Sequence, residues 1–478
     1  MNPSTATEGN LCQLGGDSAI PMDGGCVRST SRSASIIPGN IRVPDAANSA
    51  NKSGGFYQRV VMQSLAQMTL GCLHLELPDG TRQTIGRPGA AISADVRITD
   101  WGFFRRCVLY GDVGFGEAYV DGDWDTDDIT RVISWFILNV ENSPAMSGSR
   151  AKKWLINLLG WQNRIRHLLR PNSPGTSRRN ISEHYDLGND FYKLFLDPTM
   201  TYSSALFETG RAELLLRPNS TGGPSDAGQP GPTLEEAQIA KYDRLCRQLK
   251  LKPGEHVLEI GSGWGGFSRH AAKNYGVRIT TVTISEEQFK YARALFQKES
   301  LADRVEIRLQ DYRRLEGRFD KIVSIEMIEA VGDEFLETYF AKCHQLLKPD
   351  GLLALQMITC PDSRHDSLRK NVDWIQKHIF PGSLLLSIHR VNEALRATGD
   401  LFLHDLKDLG LSYAETLKRW RLTFNQNETA VRALKFDTRF IRKWNYYLSY
   451  CEAAFAMRNI SVVQAVYTRP NNPTLTKL

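Results

Sequence analysis

Glu259-Ile260-Gly261-Ser262-Gly263-Trp264-Gly265-Gly266 closes the apolar run His256-Val257-Leu258 and opens a helical pattern from about Phe267. Glycines at a strand-to-helix junction let a ligand approach the backbone at the carboxyl edge of a sheet, so the segment reads as a nucleotide-type site rather than a bare tight turn. Gly261, Gly263 and Gly266 formally satisfy the dinucleotide pattern GxGxxG. A hydride-transferring enzyme would then carry Asp or Glu at the end of the second strand to hold ribose hydroxyls. This chain has Thr283-Ile284-Ser285-Glu286-Glu287-Gln288 there, and Leu309-Gln310-Asp311-Tyr312 after the third strand. The hydroxyl of Thr283 and the amide of Gln288 suit the polar atoms of a ribose or an amino acid, and Gln310, Asp311 and Tyr312 suit the bracketing of a base. Helix capping by Ser285, with Glu287 nearby, is the competing use of the same turn.

Such residues need a parallel sheet behind them. Helix LEEAQIAKYDRLCRQLK runs into Pro253-Gly254, then strand HVLEIG, a helix, strand ITTVTI, helix EEQFKYARALFQKES, and strands RVEIRLQ, FDKIVSIEM and GLLALQMI. Alternating apolar strands and amphipathic helices specify a sheet covered on both faces. This large unit spans 183–478 and is interrupted by a Gly/Pro-rich loop ending at Thr233. Residues 55–145 form a small α/β module, with a hairpin in CLHLELPDGTRQTIG and a Gly-punctuated stretch, FFRRCVLYGDVGFGEAYVDGDW, that turns helical after Asp127 and Asp128. Residues 1–54, rich in Ser, Gly, Asn and Pro, read as a disordered tail.

The 478 residues leave room for two large units or about three of ~150 residues. With 41% apolar and 23% charged residues the chain is neither fibrous nor wholly disordered. No run approaches the roughly 18 uncharged apolar residues of a spanning helix, and the N-terminus lacks a signal-peptide pattern, so a cytoplasmic protein is expected. The eight cysteines include no C-x-x-C pair, which favours reduced thiols over disulfides or a zinc site, and no metal is expected. Between Glu141 and Glu183 there is no acidic residue, while eight Lys and Arg residues there exceed the net charge of +6 for the whole chain. This stretch, 146–182, contains KKWLINLLGWQNRIRHLL and reads as a basic amphipathic linker. Packing on its own protein, contact with an anionic membrane surface and contact with RNA all remain open for it.

The pattern E-I-G-S-G-W-G-G, V-T-I-S-E-E-Q, L-Q-D-Y resembles a class I S-adenosylmethionine-dependent methyltransferase. Upstream, Glu183-His184-Tyr185-Asp186-Leu187-Gly188-Asn189-Asp190-Phe191-Tyr192 and Leu196-Asp197-Pro198-Thr199-Met200-Thr201-Tyr202-Ser203-Ser204 are similar to the signature of the cyclopropane-fatty-acyl-phospholipid synthase and mycolic acid methyltransferase family. The likeness runs from about Gly102 to Pro470 and includes GFGEAYVDGDW, IEMIEAVGDEF, IFPGS and YYLSYCEAAFAMRNI. It implies an α/β fold: a class I methyltransferase Rossmann-like doubly wound sheet with a small N-terminal α/β domain. It also implies that Tyr202 and Ser203 hold the methionine end of S-adenosylmethionine with Gly261, Gly263, Thr283 and Gln288. Glu329 and Tyr413 match positions lining the family's bicarbonate site, and Cys451 matches a cysteine near the same pocket. Two departures stand out: Ser204 where many members have Cys, and Gln356 where many have His. Both still form hydrogen bonds, so bicarbonate remains an expected cofactor, but no titrating His is present there.

The implied chemistry is demanding. An isolated alkene is a poor nucleophile and must be held in line with the sulfonium methyl in a dry site. The resulting carbocation calls for aromatic faces and a nearby anion, and Trp420, Trp444, Tyr446, Tyr447, Tyr450 and Phe455 supply rings whose alternative role is ordinary core. A carboxylate touching the cation risks alkylation, which gives Glu329 a reason to orient a small exchangeable base. The expectation is a cyclopropane-forming methyltransferase acting on unsaturated phospholipid acyl chains, bound peripherally at the inner membrane surface. Its alternatives are a methylene- or methyl-branched product, a non-catalytic lipid-binding paralogue and an RNA methyltransferase, although nucleic acid is not expected as a partner. Whether the chain is monomeric or a homodimer is left open.

Overall fold

The structure is a computed structural model that describes residues 55–142, 187–207 and 231–475. The expected tail 1–54, the basic linker 146–182, the signature residues Glu183 to Asp186 and most of the Gly/Pro-rich loop lie outside the described residues.

Four strands make a small sheet: β1 (Cys72–Glu76), β2 (Arg82–Gly86), β3 (Ser93–Ile98) and β4 (Trp124–Asp125), in the order β2-β1-β3-β4. β1 and β2 form the expected antiparallel hairpin, with Pro78-Asp79-Gly80 at its turn. The Gly-punctuated stretch is helical over Gly102–Asp121 on either side of a kink at Gly111 (φ +59°, ψ −134°), contrary to the expectation of helix only after Asp127. Close packing explains this. A Cβ on Gly116 would stand 2.5 Å from the Trp374 ring and 2.8 Å from that of Tyr446, so glycine lets both rings lie on the helix backbone. The next helix, Ile129–Leu138, is capped by Asp128, whose carboxylate accepts from Arg131 N.

Seven strands make the large sheet: β5 (His256–Ile260), β6 (Arg278–Thr283), β7 (Val305–Leu309), β8 (Phe319–Ile325), β9 (Leu347–Thr359), β10 (Phe402–Asp408) and β11 (Ser461–Thr468). Their order is β10-β11-β9-β8-β5-β6-β7. The five strands from β9 to β7 are parallel, while β11 pairs antiparallel with both β9 and β10. The chain leaves β5 for β6 on one side and returns to β8 on the other, and this switch in strand order opens a crevice at their carboxyl ends. Helix Leu234–Gln248 precedes β5 and begins with a capping box between Thr233 and Glu236.

Helices Gly410–Gln426 and Thr438–Ala456 join the two sheets through one hydrophobic core. Leu73, Val96 and Trp135 of the small module share that core with Phe191, Trp420 and Trp444. Arg442 reinforces the junction by donating to the carbonyls of Tyr119 and Trp124. Among the described residues no helix is long and apolar enough to cross a membrane.

Candidate active site

The crevice is one continuous cleft, and its first half is built from local backbone. Gly263 has φ +49°, and nothing lies within 4 Å of where its Cβ would stand, so the turn leaves a cradle that any side chain would fill. Beneath it Glu259 is buried and accepts from the hydroxyls of Ser268 and Thr281, at 2.5 and 2.6 Å, while burial lifts its carboxyl to about 7. Thr283 Oγ1 donates to Gln288 Oε1 at 3.0 Å and accepts from Ser285 N at 3.1 Å, and Ser285 caps the Glu286–Lys298 helix. The capping role and a place on the cleft wall therefore coexist for Thr283 and Gln288. Gln310, Asp311 and Tyr312 line the same wall; the Gln310 amide donates to Arg314 O, and Asp311 forms a 2.7 Å ion pair with Arg313.

Tyr202 and Ser203 line this half on a turn braced by side chains of the residues just before it. Thr199 Oγ1 donates to Asp197 Oδ2, and Thr199, Thr201 and Tyr242 hydroxyls follow in a chain of 2.6 Å bonds. Ser203 is fixed from below: its carbonyl accepts from Gln238 Nε2 at 2.9 Å and its hydroxyl from Lys241 Nζ at 2.8 Å. Lys241 is fully buried, and burial pulls its pKa down against the opposing pull of Glu326, Asp197 and Glu259. Tyr202 bonds to the Tyr447 hydroxyl at 2.8 Å, linking the turn to the Thr438–Ala456 helix.

The second half centres on a carboxylate that sequence reasoning passed over. Glu326, just beyond β8, receives three hydrogen bonds: Ser204 N at 2.8 Å and Gln356 Nε2 at 2.7 Å on Oε1, and Tyr413 OH at 2.8 Å on Oε2. Gln356 Oε1 in turn accepts from Gln464 Nε2, and Gln464 Oε1 accepts from Arg244 Nη1, both at 2.9 Å. A guanidinium can only donate, so Arg244 sets the orientation of both amides and aims the Gln356 NH2 at Glu326. Glu329 stands beside this cluster. Its Oε1 accepts from Ile358 N, its Oε2 is buried without a hydrogen-bond partner, and burial together with the Glu326 charge raises its carboxyl to about 8.

Tyr202, Ser203, Gly261, Gly263, Thr283, Gln288, Gln310, Asp311, Tyr312, Glu329, Tyr413 and Cys451 thus meet on one cleft. Ser204 and Gln356 stand behind it, fully buried, and act on it through Glu326. The donors expected to hold bicarbonate do not fit a free ion, because three of them already converge on a carboxylate of the chain. The Cys451 thiol is pushed up by burial and stays neutral. Of the aromatic residues, Trp420, Trp444 and Tyr446 belong to the core, while Tyr447 and Phe455 reach the cleft. Among the described residues no group of His, Cys, Asp and Glu is arranged to hold a metal. Glu259, Gln238, Lys241, Glu326 and Gln464 went unselected. Glu326 and Glu259 carry a signal, a charged residue at the carboxyl end of an apolar parallel strand.

The strand order, the glycine turn after β5 and the cradle at Gly263 define a class I S-adenosylmethionine-dependent methyltransferase. Within that class the chain belongs to the mycolic acid cyclopropane synthetase family, whose profile matches residues 172–465. It is 38% identical over 405 residues to the tuberculostearic acid methyltransferase of Mycobacterium tuberculosis, covering 84% of this chain and 88% of that one. It is 34% identical over 415 residues to the cyclopropane-fatty-acyl-phospholipid synthase of Escherichia coli, covering 84% and 97%. The structure of the cyclopropane synthase MmaA2 from Mycobacterium tuberculosis superposes with a TM-score of 0.53 at 30% identity, over 61% of this chain and 98% of that one. A mycolic acid cyclopropane synthase complexed with SAH and CTAB matches with the same values.

Proposed function

We propose that this enzyme transfers the methyl group of S-adenosylmethionine to the cis double bond of unsaturated phospholipid acyl chains and closes a cyclopropane ring. The single observation that carries the reading is the continuity of the cleft. The same cleft is lined by the cradle at Gly263, by Glu326 and Glu329, and by Leu368, Ile375, Phe380, Leu384, Leu417 and Ile460. An apolar wall of this kind takes a hydrocarbon chain and excludes water from the reacting carbons. When bound, S-adenosylmethionine supplies an electrophilic methyl carbon on a positively charged sulfur. Tyr202, Ser203, Gly263 and Gln288 line the cleft around the cradle and would hold it, and the rings of Tyr447 and Phe455, which also line the cleft, would stabilise positive charge on the acyl chain. The naming of one relative as a cyclopropane-fatty-acyl-phospholipid synthase and the binding of SAH with CTAB, a long-chain ammonium surfactant, in another structure support the same substrate class. Reaching such a substrate calls for a membrane surface, and the basic stretch 146–182 suits an anionic one at the cytoplasmic face.

The 38% identity to a tuberculostearic acid methyltransferase favours a second reading, a methyl- or methylene-branched product without ring closure. Incubation with a labelled methyl donor and oleoyl phospholipid vesicles tests both. Label in the acyl chain after hydrolysis is expected, and label confined to head groups, or found in no lipid, rejects the proposal. Proton NMR separates the products: upfield ring protons mark cyclopropane, and vinylic protons mark a methylene branch.

A further inference from the structure

Glu326 occupies the point on which Ser204, Gln356 and Tyr413 converge, and it lines the cleft between the cofactor cradle and the apolar wall. We infer that Glu326 is the built-in base of the reaction, a tethered carboxylate that takes the place of an exchangeable bicarbonate ion and accepts the proton released from the transferred carbon. The inference deepens the proposed function and rests on it for the identity of the proton donor.

Three observations carry it. The first is the donor set: two hydrogen bonds to Oε1 and one to Oε2 stabilise a charged carboxylate and engage the donors that a free anion at this point would need. The second is the backbone. Glu326 has φ +47°, a conformation that residues with side chains rarely adopt and that glycine takes at no steric cost. A side chain kept in such strain at a cleft points to a chemical role for the carboxylate. The third is the neighbour. Glu329 has a single backbone donor and an orphaned oxygen, whereas Glu326 has three donors, so the negative charge of the pair resides on Glu326.

The step is a proton transfer. Once the new carbon is attached and the adjacent acyl carbon is cationic, a C–H bond of the added carbon breaks. Its electron pair forms the third side of the ring, and the proton passes to a Glu326 oxygen. No oxidant or further reactant enters. Alkylation of the carboxylate is opposed because Ser204, Gln356 and Tyr413 hold it in place and spread its charge.

The test uses the full chain with oleoyl phospholipid vesicles and [13C]bicarbonate as the probe. Wild-type turnover is expected to be the same, within about twofold, in bicarbonate-depleted and bicarbonate-supplemented buffer, and no bound carbon-13 signal is expected. Glu326→Gln is expected to lower kcat by about 100-fold or more, the usual scale for losing a general base, with unchanged S-adenosylmethionine affinity by calorimetry. Glu326→Gly relieves the backbone strain and vacates the donors, so it is expected to bind [13C]bicarbonate and to recover turnover when bicarbonate is added. Wild-type protein that binds or requires bicarbonate overturns the inference, as does a folded Glu326→Gln with near wild-type kcat or a folded Glu326→Gly that binds no bicarbonate. The binding arm needs no turnover: bicarbonate that binds only after Glu326 is removed keeps the tethered anion in place even where no lipid is modified, and it is then the proposed substrate that fails.

Discussion

The two halves of the cleft are built on different principles. The cofactor half draws most of its wall from short contiguous segments at the ends of β5, β6 and β7, where backbone conformation shapes the pocket and side chains cap helices. The other half gathers Ser204, Glu326, Gln356, Tyr413 and Gln464, which stand far apart in the chain, into one hydrogen-bond network. A pocket made of backbone tolerates change wherever no side chain enters it. A network made of distant side chains depends on every link, including links that never touch a ligand.

Substitution in each half sharpens this contrast. Gly263→Val fills the cradle without striking the protein and is expected to weaken S-adenosylmethionine binding about 100-fold, a cost on the scale of overpacking. Calorimetry showing unchanged affinity would make the turn merely structural. Glu329→Gln puts an amide, which exchanges no proton, where a carboxyl that keeps its proton at neutral pH lines the cleft, so kcat should drop about tenfold while cofactor affinity holds. The same variant has a pH signature. Glu329 titrates at about 8 in the fold against an ordinary value of 4.5, so the folded chain keeps a proton that the unfolded chain releases between those values. The stability this contributes is full below 4.5 and is lost as pH rises toward 8; melting curves should show Glu329→Gln gaining on wild type across that window.

Smaller effects discriminate further. Arg244→Met lies outside the cleft lining but frees the Gln464 amide to turn, and a loss of roughly one hydrogen bond's worth should lower kcat about fivefold with the KM for S-adenosylmethionine unchanged. Unaltered kinetics would show that the amide row holds its direction without Arg244. Cys451→Ser should leave turnover within about twofold, since a neutral thiol is no nucleophile, and a larger loss would give that residue a part in the chemistry.

The same contrast explains what could be read in advance. The strand–helix alternation, the Pro78-Asp79-Gly80 hairpin and the glycine turn are local, and local chemistry leaves a local trace. Glu326 stands three residues before Glu329, the carboxylate to which the family resemblance points, and nothing in the local sequence sets it apart as the acceptor of three distant donors. Lys241 and Gln238 looked like the polar face of an ordinary amphipathic helix, and only the fold buries them under Ser203. The Gly102–Asp121 helix is obscured in the sequence by its glycines, of which Gly116 admits the rings of Trp374 and Tyr446 and Gly111 kinks the helix. The antiparallel β11, inserted between β9 and β10, brings Gln464 to Gln356, a pairing across the sheet that no spacing along the chain could reveal.

The row Arg244, Gln464, Gln356 has a consequence for traffic through the enzyme. Carboxamides polarise their neighbours, yet at neutral pH they do not ferry hydrogen ions. Along this row Glu326 is insulated. A hydrogen ion captured by the carboxylate does not leave through the amides, so resetting the enzyme for its next cycle falls to the other groups that face Glu326, Tyr413 on the cleft and the buried Lys241.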